Sequence, residues 1–178
     1  MTIRKNIGAA AAIAAAAGLL AQAEVWAGAD NVAFPENWAK GVVFNQIDRA
    51  NNKQLTEYYV SPTAVEAAKK GMPLPSGTTI TAVGFKAKLD ADGNPVKDAG
   101  GKFVKDGDPL GYRIMEKRAG WGADYPEDKR NGEWEYRVFG ADKKPNTQAD
   151  LNGCFGCHKP QAKQDFVFTY DKLKLATN

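Results

Sequence analysis

Every thiol and the only imidazole in this chain sit within five consecutive positions. Cys154-Phe155-Gly156-Cys157-His158 holds both cysteines and the only histidine among 178 residues. Two thiols three positions apart with an imidazole beside the second make the C-x-x-C-H pattern of covalent c-type haem attachment. The thiols can bond the two vinyl groups of one porphyrin, and the imidazole can reach the iron. Gly156 leaves the segment without a side chain where the edge of the macrocycle must come close.

The rival readings of the motif fail on arithmetic. A structural zinc wants four Cys or His ligands, and three are present in total. A thioredoxin-like redox pair needs a fold around it for which too little chain follows. A disulfide across so short a loop would constrain little of the unfolded chain. With His158 used on one side of the iron, a second histidine ligand is impossible. Methionine is the usual alternative, and beyond the first residues only Met72 and Met115 remain, both upstream of the motif. Both read better as gap-filling core residues. An iron with one protein ligand and an open face can bind a small molecule.

The N-terminus sets the compartment. A basic opening, "MTIRKN", precedes an alanine-rich apolar run from Ile7 to Leu20, too short to span a bilayer, which takes about 20 residues. Small residues follow at Ala21-Gln22-Ala23 and Val25-Trp26-Ala27, so residues 1–27 read as an export signal cleaved after Ala23 or Ala27. An uncleaved anchoring helix is the weaker alternative. Residues 28–178 then form one domain of periplasmic location, with no stable membrane insertion. The formal charge of +3 falls to +1 when Arg4 and Lys5 leave, or to +2 if Glu24 goes with them. So small a balance gives no support for nucleic-acid binding.

The body of the chain has strand character. "GVVFNQI" from Gly41, "LTEYYV" from Leu55, "TTITAVGFKAKL" from Thr78, "LGYRIMEK" from Leu110 and "EWEYRVFG" from Glu133 are rich in β-branched and aromatic residues and partly alternate. One helix is predicted at "SPTAVEAAKKG", with Ser61 as N-cap, Pro62 in the first turn and Gly71 at the end. Asp92-Gly93-Asn94 and Asp106-Gly107-Asp108 mark turns, and the Lys- and Gly-rich stretch between them reads as a solvated hairpin insertion. The expected class is α+β: a mostly antiparallel sheet with a few flanking helices and haem c attached by the C-terminal segment.

With "YVSPTAVEAAKKG" before "GTTIT", the aromatic "GEWEYRVF", "CFGCHKP" and the closing "KQDFVFTY" in that order, the chain resembles the cytochrome P460 family, which includes the P460 enzymes and the β-sheet cytochromes c′ (c′-beta). The resemblance runs from about Phe34 to Leu175. It implies a homodimer with one five-coordinate, high-spin haem c. It also implies, for the enzymes, a strand lysine that cross-links to the haem. That position falls on Ala82. Lys86 could share its face but stands roughly 13 Å further along the strand. The family's strand arginine is replaced by Thr56.

Lysine-free relatives resemble c′-beta proteins, whose aromatic distal pocket takes NO and CO. Phe44, Tyr58, Phe85 and Trp134, with Ala82, are the candidates for that wall, and Asp150 is a candidate proton relay. The expected function is a gas-binding haem c protein acting as sensor, scavenger or carrier of NO or a related nitrogen oxide, with a periplasmic redox partner. The alternatives are a hydroxylamine-oxidising or peroxidase-like enzyme, and an electron-transfer cytochrome with Met72 or Met115 on the iron.

Overall fold

Five strands form one sheet in chain order: β1 (Val42–Arg49), β2 (Gln54–Val60), β3 (Thr79–Ala87), β4 (Lys105–Lys117) and β5 (Trp134–Gly140), each antiparallel to its neighbours. Among the described residues three α-helices accompany them: α1 (Pro62–Lys69), α2 (Leu151–His158) and α3 (Tyr170–Leu175). This computed structural model describes residues 31–127 and 129–177. The export signal expected at residues 1–27 lies outside them. No helix among the described residues is long and apolar enough to cross a membrane. The α+β class expected from the sequence is the class found.

Both faces of the sheet are covered, which is why the strands carry large side chains at successive positions. One face packs Phe44, Val60, Ile80, Met115, Trp134 and Tyr136 against Ala64, Val65 and Ala68 of α1, Phe155 of α2, and Tyr170 and Leu173 of α3. The other packs Leu55, Tyr59, Val83, Phe85, Tyr112 and Phe139 beneath Val32, Phe34 and Trp38 of the N-terminal segment. Side chains alternate across a strand, so Tyr58 and Tyr59 serve opposite layers.

Helix α1 ends as its sequence predicts. Gly71 adopts φ +69, Gly71 N–H donates to Ala68 O at 2.9 Å and Met72 N–H to Ala67 O at 3.0 Å, the paired bonds of a Schellman cap. Its start differs in detail, because the Ser61 hydroxyl meets Thr63 Oγ1 at 3.0 Å and caps no backbone N–H. The Asp106-Gly107-Asp108 turn lies inside a strand. Lys86 pairs with Asp106 and Gly84 with Gly111, so residues 107–110 bulge opposite Phe85 alone. The hairpin insertion is not wholly solvated either: Phe103 is buried, its N–H donates to Asp48 Oδ2 at 3.1 Å, and its carbonyl accepts from Gln46 Nε2 at 2.9 Å.

Candidate functional site

Helix α2 carries the whole motif, with Asp150 at its N-cap. Cys154, Cys157 and His158 stand at i, i+3 and i+4, which places them along one face. The adjoining face is held by Phe155, 4% exposed, between the rings of Tyr125 at 5.0 Å and Tyr136 at 4.8 Å. Asn131 Nδ2 donates to Phe155 O at 3.0 Å, tying the middle of the helix to the loop before β5. Below the motif, Lys159 Nζ donates to the carbonyls of Glu127 at 2.7 Å and Arg130 at 2.8 Å. Both thiols are free, Cys157 exposed and Cys154 half-buried. Burial pushes the Cys154 thiol above its ordinary pKa, Asp150 adds to the rise, and Arg113 opposes it.

The imidazole of His158 has a determined tautomer. Its Nδ1 lies 2.7 Å from the carbonyl of Phe166. A carbonyl can only accept, so Nδ1 carries the proton and Nε2 keeps its lone pair. Tyr136 lies at 5.0 Å and Phe168 at 5.1 Å from the ring. Burial holds the pKa below the usual histidine range, against the Phe166 hydrogen bond. A neutral ring with one nitrogen anchored and the other free is the form that ligates a metal.

His158 and Cys154 border a cleft of about 200 Å³ over the sheet. Its floor follows the strand register. Ile80, Met115 and Tyr136 make one cross-strand row, and Tyr58, Ala82, Arg113 and Val138 make the next. Two of the five distal candidates, Tyr58 and Ala82, therefore line it. Phe44 stands behind them, its ring 6.2 Å from that of Tyr58. Phe85 does not, because it is an odd number of residues from Ala82 and faces the other layer. Trp134 has the correct face but lies buried at the start of β5, with Nε1 3.4 Å from Asp165 Oδ1. Asp150 is exposed at the helix start and lines no part of the cleft. Lys86 is exposed and outside the lining, and Met72 is 55% exposed, whereas Met115 lines the cleft.

Sequence reasoning missed the cations. Arg49 and Arg113 border the cleft, and among the described residues neither has an ion pair or a side-chain hydrogen bond. The pocket expected to be aromatic is thus flanked by Arg49 of β1 and Arg113 of β4, and Arg137 of β5, which donates to Val32 O at 3.1 Å, also borders it. The Tyr58 phenol beside them is pushed above its ordinary pKa by burial, with both arginines pulling the other way.

The model of the cytochrome P460 family matches residues 35–169. The chain belongs to the cytochrome P460 family. No curated protein matches it. The cofactor of cytochrome P460 proteins is haem c with its iron, and the residues of this chain fit it. The donor set is two free thiols and a correctly protonated imidazole on one helix face. A Cβ built at Gly156 meets no protein atom within 4 Å, so no protein contact requires glycine there. Among the described residues that line the cleft, Arg49 and Arg113 are unpaired cations that would suit the two propionate carboxylates, which arginine pairs with well. When bound, the group would supply the iron; the chain would supply the anchored imidazole and the walls of the cleft.

Proposed function

We propose that this chain is an exported haem c protein in which Cys154 and Cys157 carry the porphyrin, His158 is the iron's protein ligand, and the cleft admits a small neutral molecule such as NO, which the protein senses, scavenges or carries. The observation that carries this reading is the cleft wall at Ala82. The position that matches the cross-linking lysine of P460 enzymes presents a methyl group, and among the described residues no lysine lines the cleft. Ile80, Ala82 and Met115 offer no strong hydrogen bond to water, which favours neutral diatomic ligands. The protonated Tyr58 hydroxyl is one donor available to such a ligand, beside the guanidinium groups of Arg49 and Arg113. Export rests on the N-terminal signal pattern, and the homodimer on the family resemblance.

Ala82→Trp tests the reading. Filling the cleft should weaken CO binding to the ferrous protein at least tenfold while leaving covalent haem attachment unchanged. Unaltered CO affinity would refute it. One observation favours a second reading, electron transfer: the thioether of Met115, 6% exposed, borders the same cleft. That reading requires a low-spin spectrum that becomes high-spin in Met115→Leu.

A further inference from the structure

The turn that follows α2 is unusually constrained. Asp165 has φ +53 and Phe166 φ +59, two successive left-handed residues that are not glycine, each costing about 1–2 kcal/mol. Such backbone persists when its surroundings over-determine it, and here the Asp165 carboxylate does so. Lys117 Nζ lies 2.8 Å from both Oδ1 and Oδ2. Oδ2 accepts the Leu74 N–H at 2.8 Å and Oδ1 the indole N–H of Trp134 at 3.4 Å. One side chain thus ties the turn to the end of β4, the start of β5 and the loop between α1 and β3. The pair is largely shielded, with Lys117 13% and Asp165 14% exposed. The next residue does two things. Its ring packs against Gly132, where a Cβ would come within 3.0 Å of it, and its carbonyl accepts the His158 Nδ1 proton at 2.7 Å.

We propose that Asp165 is a positioning residue for the iron ligand: by clamping the turn to the sheet, it fixes the Phe166 carbonyl and through it the direction and donor strength of His158. The inference rests on His158 being that ligand. An acceptor held firmly at Nδ1–H makes Nε2 a stronger donor, which strengthens the bond to iron and favours the ferric state. With the clamp gone, the two residues relax out of the left-handed region and the carbonyl moves away.

The test uses the full-length holoprotein. Asp165→Ala should shift the ferrous iron–histidine stretching band in resonance Raman to lower frequency and move the midpoint potential upward. Asp165→Asn, which keeps an acceptor oxygen, should shift both less. Lys117→Met should act in the same direction, and the double variant with Asp165→Ala should go no further than Asp165→Ala alone, because the two residues form one device. Val83→Ala, which loosens the opposite layer, should move neither quantity. Wild-type band and potential in folded Asp165→Ala would overturn the proposal; if that variant does not fold, wild-type values in Asp165→Asn and Lys117→Met overturn it equally. Absence of any iron–histidine band in the unmodified protein would instead overturn the single-ligand, high-spin iron of the proposed function, and the midpoint potentials of the same variants would then decide the clamp.

Discussion

Gly132 and Gly71 form a matched pair for measuring how tightly the turn beneath the site is packed. Both are left-handed, at φ +59 and φ +69, but a Cβ at Gly71 meets nothing within 4 Å, whereas one at Gly132 would come 3.0 Å from Phe166 Cε2. Gly71→Ala therefore incurs the backbone term alone, about 1 kcal/mol. Gly132→Ala incurs that term plus overpacking, which costs about 1–3 kcal/mol in a dense interior. The contact is with the end of an aromatic ring that can shift by a few tenths of an ångström, so the lower half of that range applies and the total comes to about 2–3 kcal/mol. Equilibrium urea unfolding reads the difference. With a slope of about 2 kcal/mol per molar, the midpoint should fall by about 0.5 M for Gly71→Ala and by about 1–1.5 M for Gly132→Ala. Equal losses would show that Phe166 is not held against this position, and the packing argument for the turn would fail.

Other outcomes follow from the same geometry. Leu173, 0% exposed between α3 and the sheet, should cost about 2–5 kcal/mol as Leu173→Ala, measured by the same unfolding; a loss below 1 kcal/mol would contradict its burial. Tyr136→Phe removes the hydroxyl that accepts from Asn131 Nδ2 at 3.1 Å, while Asn131 keeps Phe155 O at 3.0 Å, so the loss should be about 1 kcal/mol. His158, the only histidine, has a folded-state pKa below the unfolded value of about 6.5. The unfolded chain then binds the proton first, so the stability this group contributes to the haem-free protein is complete above about pH 6.5 and is lost as pH falls through the depressed folded pKa. Unfolding between pH 7 and 5 should show a steeper loss in the wild type than in His158→Gln, and parallel curves would contradict the burial of the ring.

Where composition and alternation carried the signal, the sequence was readable. The β-branched and aromatic runs became strands, and "SPTAVEAAKKG" became α1 because Pro62 in its first turn, Gly71 at its end and its buried Ala64, Val65 and Ala68 agree. The five-residue motif was legible because its chemistry is local. The cleft was not, because its lining depends on which strands neighbour each other and in what register. Phe85 shares β3 with Ala82 yet faces the other layer, and Arg113 reads as a solvated strand charge until its pairing with Ala82 puts it at the cleft. Asp106-Gly107-Asp108 has turn chemistry, but the ladder resumes beyond it, so those residues form a bulge. Asp165 lies in a stretch without periodicity, and its role exists only through Lys117, Trp134 and Leu74, which are distant in the chain.

The central claim, a haem c held by one protein ligand beside a cleft free of lysine, is tested most directly by the absorption spectrum of the reduced holoprotein before and after adding CO. The account predicts an ordinary high-spin haem c spectrum that changes on binding CO. A strongly red-shifted Soret band would reveal a cross-linked haem despite Ala82, and a low-spin spectrum indifferent to CO would put a second protein ligand, with Met115 first in line, on the iron; either would contradict it.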